Sequence, residues 1–199
     1  MHFLFAPPEI CRCLLVYILV MVCIGSISRL ALWKILEWYG LPKKLVDVIQ
    51  SLYTDCCSAI RINGNISGWF QVTTGVRQGC ILSPLLFAIP IDWVMRRVMK
   101  RSDAGINWMY EAKLADLNFV DDIALLEESV YSMQHFTSVL EEEASRVGLC
   151  INPDKCKVMV SSAWSGTADI HFQGYKVDWK WSTSSAIWAA TYLRMATVK

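Results

Sequence analysis

Residues 117–126 read LNFVDDIALL, two adjacent carboxylates, Asp121 and Asp122, set between two apolar runs. Leu117, Phe119 and Val120 lead in, and Ile123, Ala124, Leu125 and Leu126 lead out. Strand formers on both sides of a two-residue acidic tip predict a tight β-hairpin within a buried sheet. The tip lacks the glycine of the commonest hairpin turns, so turn chemistry alone does not put it there. Two like charges side by side repel, and each raises the pKa of the other. A divalent cation between them removes that cost. A hard ion such as Mg²⁺ takes oxygen ligands and leaves room for substrate phosphates. One reading is therefore a metal-binding hairpin for phosphoryl chemistry; the alternative is two solvated turn aspartates.

The 199-residue chain around this hairpin is 54% hydrophobic and 19% charged, enough apolar material for one domain with a substantial core. A formal net charge of +1 means that no global basic field advertises nucleic acid. The charges are unevenly placed. Arg96, Arg97, Lys100 and Arg101 form a basic cluster, and Glu141, Glu142 and Glu143 an acidic one. The eight cysteines include no Cys-x-x-Cys pair, and the three histidines lie far from any Cys pair, which argues against a zinc site. Free buried thiols in a reducing compartment are the simplest account.

Residues 13–27 carry no charge. They read as a buried first strand, because LLVYILVMV is rich in strand formers, or as a signal- or anchor-like segment. Leu32, Ile35, Leu36 and Tyr39 have helical spacing, with Gly40 as a terminator and Pro42 blocking continuation. A second helix over 43–53 would show Leu45, Val48, Ile49, Leu52 and Tyr53 on one face. CSAIRIN and GWFQVTT alternate on either side of Asn63-Gly64-Asn65, a hairpin signature. A helix from Ser83 as N-cap to the basic cluster would bury Leu85, Leu86, Ile89 and Trp93 and must accommodate Pro90. Ser129 caps a helix ending at Gly148, with Val130, Met133, Leu140, Ala144 and Val147 inward and Glu141–Glu143 on a solvated face. Residues 156–160 look like a closing strand. Alternating strands and helices around one antiparallel sheet give an α+β, split βαβ arrangement.

Several of these stretches, in this order, carry a resemblance. YGLPKKLVDVIQSLY (39–53), then SAIRINGNISGWFQVTTGVRQGCILSPLLF (58–87), LNFVDDIALL and GLCINPDKCKVM (148–159) resemble the reverse transcriptase domain of non-LTR retrotransposons. The similarity covers roughly residues 26–160. It implies a polymerase palm-like α+β fold and nucleotidyl transfer by two metal ions. It further implies Mg²⁺ as cofactor and an RNA template, a DNA primer and deoxynucleoside triphosphates as partners, with no specific protein partner. By resemblance Asp121 is a direct metal ligand and Asp122 supports the same site. Gln78 and Gly79 lie against template base and incoming nucleotide, glycine allowing close backbone approach. Arg77 is a phosphate or ion-pair partner, Phe119 packs near the primer end, and Lys155 protonates or neutralises the leaving pyrophosphate. Bland readings stand beside these: loop geometry for Gly79, a solvated strand end for Lys155, ordinary core for Phe119.

The sequence also departs from the family. Leu19 stands at the place of the first-strand metal-binding aspartate and Gly25 at the place of a second acidic residue, with no carboxylate between Glu9 and Glu37. Leucine cannot coordinate Mg²⁺, so very low turnover is expected. The division expected is 1–28 as a divergent apolar segment, 29–160 as the palm-like domain without full fingers or thumb, and 161–199 as a divergent tail. An intracellular location, cytoplasmic or nuclear, follows from the resemblance. The competing functions are a non-catalytic retroelement remnant and a small membrane-anchored protein using residues 13–27.

Overall fold

The computed structural model describes residues 25–77, 79–108, 112–119, 122–153, 156, 158, 169–172 and 174–176, with backbone alone at 108, 112, 119, 122, 172, 175 and 176. The first-strand or anchor reading of residues 13–24 therefore lies outside the described residues. The elements run α1 (Arg29–Trp38), α2 (Lys43–Tyr53), β1 (Cys57–Ser58), β2 (Arg61–Ile62), β3 (Asn65–Ile66), β4 (Phe70–Gln71) and α3 (Ser83–Arg101). They continue with β5 (Ile106–Trp108), β6 (Ala112–Leu114), β7 (Asp116–Phe119), β8 (Asp122–Leu125), α4 (Val130–Arg146), β9 (His171–Phe172) and β10 (Tyr175–Lys176).

Local chemistry sets the helix ends. The Ser28 hydroxyl accepts from the Ala31 amide at 3.4 Å and starts α1, which buries Leu32, Ile35 and Leu36. Gly40, at φ +83°, ends it: the Leu41 N–H returns to the Leu36 carbonyl at 3.1 Å in a Schellman closure. Ser129 caps α4 by accepting from the Ser132 amide at 3.0 Å, and Gly148 closes it with Leu149 N–H on the Ala144 carbonyl. Met133, Leu140, Ala144 and Val147 are buried as expected, joined by Phe136, and Val130 is half-buried.

Two predicted faces are rotated. Helix α2 buries Val46, Ile49 and Tyr53, while Leu45, Val48 and Leu52 stay exposed. Its main helix contact is with α1, and one narrow stripe suffices for that. Helix α3 packs on both α1 and α4, so its buried arc centres on Phe87, Ile91, Val94 and Val98. Leu85 faces outward, Ile89 and Trp93 are half-buried, and Pro90 sits in the packed face. Ser83 is not the N-cap: it is the first helical residue, and its hydroxyl donates to the Arg77 carbonyl instead of accepting a first-turn amide.

The solvated acidic face also needs correction. Glu143 is fully buried, accepting from Arg97 and Arg101 of α3 at 2.5 Å each, with Arg146 at 3.5 Å. Glu142 bonds Arg101 and Arg146 at 2.7 Å. Arg97 and Arg101 of the basic cluster and Glu142 and Glu143 of the acidic one form one network joining α3 to α4. Arg96 is held locally by Asp92 at 2.6 Å. The thiols differ too: among the described cysteines Cys156 is buried, whereas Cys57 and Cys150 are exposed.

The described strands form five separate two-stranded antiparallel ladders in place of one sheet. The β2–β3 turn is as predicted, with Asn63 at φ 49° and Gly64 at φ 85°. The β5–β6 hairpin occupies a stretch to which the sequence pattern assigned no element. In the closing stretch, Val158 makes a buried bridge; residues 157, 159 and 160 lie outside the described residues. The secondary structure is α+β, with helices α1, α3 and α4 around the main core.

Candidate active site

The acidic hairpin exists, with its register displaced by one from the sequence reading. The β7–β8 pairs run Asp116↔Leu125, Leu117↔Ala124, Asn118↔Ile123 and Phe119↔Asp122. Asp122 is therefore the first residue of β8, opposite Phe119, and not half of the turn. Ile123, Ala124, Leu125 and Leu126 are all buried, so β8 is covered on both faces, as a run of consecutive apolar residues requires. Asp121 lies outside the described residues, as do Gln78, Lys155 and Leu19.

A second element holds the loop bearing Arg77 and Gly79. Segment 25–28 is wedged between this loop and the end of α4. The Ser28 N–H donates to the Val147 carbonyl at 2.9 Å, the Gly75 N–H to the Ile27 carbonyl at 2.8 Å, and the Thr74 hydroxyl to the Gly25 carbonyl at 3.0 Å. Gly75 has φ +73°, and a Cβ there would fall 2.5 Å from the Gly25 Cα, so no other residue fits without moving backbone. Gly79 also has positive φ, yet its face is open. Its glycine requirement is conformational, and the open face leaves room for another molecule.

Arg29 fixes this junction. Its guanidinium donates to the carbonyls of Gly75 at 3.1 Å, Tyr53 at 3.2 Å and Thr74 at 3.3 Å, and lies 5.1 Å from the Tyr53 ring centre. Arg77 covers the same ring at 5.7 Å and donates to the Cys56 sulfur at 2.8 and 3.2 Å. Exposed and in no ion pair among the described residues, Arg77 keeps an uncompensated charge. Beside it, the Leu82 backbone amide, with help from Ser83 and Arg77, draws the Cys80 thiol below its ordinary pKa. The Tyr53 hydroxyl is buried with no hydrogen-bond partner among the described residues. The junction role of Arg29 and Tyr53 is not legible in the sequence: an arginine after a serine cap and a tyrosine on a helical face carry no motif.

Asp116, at the far end of β7, bonds Asn118, and burial raises its carboxyl pKa. With Asp92, Arg96 and Trp38 it lines a cavity of about 370 Å³ on the α3 side. Among the described residues, no three His, Cys, Asp or Glu side chains come together as a metal site. None of the described helices is long and apolar enough to cross a membrane.

The family model for reverse transcriptase (RNA-dependent DNA polymerase) matches residues 25–177. This chain belongs to the reverse transcriptase family. Its similar proteins bear out the non-LTR resemblance. The Pol polyprotein of the type-1 retrotransposable element R2 from Popillia japonica is 28% identical over 141 residues, 71% of this chain and 23% of that protein. The type-2 element R2DM polyprotein of Drosophila melanogaster is 31% identical over 131 residues, 66% of this chain and 12% of its own length. The R2 polyprotein of Nasonia vitripennis is 29% identical over 134 residues, 67% and 13%. This reverse transcriptase stretch thus spans about an eighth to a quarter of the curated relatives it matches. The family copies a nucleic-acid template from nucleotides and generally uses divalent metal ions.

Proposed function

We propose that the chain carries an RNA-directed DNA polymerase site of palm-like, split βαβ type within residues 29–160, centred on Asp121 and Asp122, with very low turnover. The observation that carries this reading is the β7–β8 ladder, with the apolar run after Asp122 buried and Asp122 at the turn end, in a chain of this family. The donor chemistry fits a hard cation: adjacent carboxylates offer oxygen ligands, and a strand end fixes the backbone of one of them. Asp121 and Asp122 would hold Mg²⁺, which when bound supplies Lewis acidity toward a primer 3′-hydroxyl and neutralises triphosphate charge.

The remaining roles belong to the chain itself. Phe119, opposite Asp122 in the ladder, supports the primer end. Arg77 offers its uncompensated guanidinium to phosphate, Gly79 gives open backbone to template or nucleotide, and Gln78 stands between them in sequence. Lys155 supplies a proton or charge to departing pyrophosphate. Leu19 and Gly25, at the places of the family's other carboxylates, are the reason to expect weak activity. The chain's RNA template, DNA primer and deoxynucleoside triphosphates follow from the same reading. The retroelement-remnant reading shares this site and differs only in rate. Primer extension on an RNA template with Mg²⁺ separates the two. Faint incorporation abolished by Asp121→Asn supports the polymerase, and no incorporation above an Asp121→Asn blank supports the remnant.

A further inference from the structure

The arm from Cys57 to Gln71 turns its large side chains outward. Ile62 is 64% exposed, Ile66 57%, Trp69 74% and Phe70 46%. Single exposed apolar residues are ordinary, but such a group on one two-stranded arm marks an interaction surface. The charges narrow the partner. Between Cys56 and Arg77 the chain has two charged residues, Arg61 and Arg77, and no carboxylate.

One face of the arm carries both Phe70 and the Arg77 head. Beyond the Cys57↔Gln71 pair, the Val72 N–H donates to the Cys56 carbonyl at 2.8 Å and carries the ladder one rung further. Alternation places Cys56 on the face of Ser58, whose partner is Phe70. The Arg77 head rests on the Cys56 sulfur, so cation and aromatic residue share a face.

We propose that this arm docks single-stranded nucleic acid, with Trp69 and Phe70 stacking on bases and Arg61 and Arg77 meeting phosphates. Aromatic faces suit any base, and cations in no ion pair among the described residues suit a phosphate backbone. An apolar protein segment would satisfy the side chains but leave both guanidinium groups unmatched. The inference deepens the polymerase reading by naming how a strand is held, but needs no catalysis.

The test is fluorescence anisotropy of labelled oligo(U) and oligo(dT) with the full chain. Trp69→Ser with Phe70→Ser should weaken both by about tenfold or more. Arg61→Gln with Arg77→Gln should lower the slope of log affinity against log salt by about 1.4, for two phosphates lost. A 4-thiouridine oligonucleotide should cross-link to the wild type within residues 57–77. This last result stands even if a variant fails to fold. Absent wild-type binding, cross-links elsewhere, or folded variants that bind as tightly as wild type overturn the proposal. Variants that change only self-association make the arm a protein-contact face and overturn it too. Arm-dependent binding without primer extension keeps this inference while the polymerase reading fails; extension without arm dependence does the reverse.

Discussion

The α3–α4 junction and the arm between Cys56 and Arg77 handle the same two materials, arginine and large apolar side chains, in opposite ways. At the junction, Arg97 and Arg101 end on Glu143, and Phe87, Phe136 and Leu140 fill the core. On the arm, Arg77 ends on a sulfur and a ring, and Trp69 stands in solvent. Groups consumed internally serve stability; groups left unmatched are available to a partner. A cluster of arginines in a sequence does not reveal which case applies, because the answer depends on what the fold brings opposite.

The contrast breaks most sharply at Glu143. Arg97→Gln with Arg101→Gln leaves a buried carboxylate with Arg146 alone and should cost about 3–5 kcal/mol in chemical denaturation. Oligonucleotide affinity of the protein that remains folded should not change. Gly75→Ala comes next. Positive φ and the contact with Gly25 together should cost about 2–3 kcal/mol, and hydrogen exchange in residues 74–80 should speed up.

The pH dependence sharpens the same division. Burial acts to raise the Glu143 carboxyl pKa, but the arginine hydrogen bonds overcome it and hold it below its ordinary value. Arg101 and Arg146 hold Glu142 low as well. A depressed carboxyl contributes stability above its unfolded pKa and loses it as pH falls through the folded one. The denaturation midpoint should therefore drop on acidification below about pH 4.3, and the double arginine variant should drop less. Burial raises Asp116, so its contribution is present below the unfolded pKa and fades as pH rises through the folded value. Asp116→Asn should flatten the profile just above the ordinary carboxylate range. The smallest stability change belongs to the arm: Trp69→Ser should shift it by no more than about 0.5 kcal/mol, even though it weakens binding.

The helices were legible where one residue type has one job. Ser28, Ser129, Gly40 and Gly148 end their helices as read because capping is local chemistry. The faces of α2 and α3 were misread because neighbours decide which stripe is covered, and no period within one helix names its neighbour. The hairpin around Asp121 and Asp122 was found from its apolar flanks, while its register came out one residue away: Asp122 pairs with Phe119. Asp-Asp carries no turn preference strong enough to fix a register. Arg29 was invisible for another reason. Its partners are backbone carbonyls of Tyr53, Thr74 and Gly75, and carbonyls leave no trace in sequence.

We propose a polymerase-type carboxylate site weakened by what stands at positions 19 and 25. A Cβ at Gly25 meets nothing within 4 Å among the described residues, so a side chain can begin there. Primer extension by Leu19→Asp with Gly25→Asp, measured beside the wild type on the same RNA template with Mg²⁺, tests the claim directly. Incorporation should rise at least about a hundredfold, by removing a deficit of several kcal/mol in transition-state stabilisation, and vanish when Asp121→Asn is added. Wild-type incorporation that survives Asp121→Asn, or a folded double variant no faster than wild type, would contradict it.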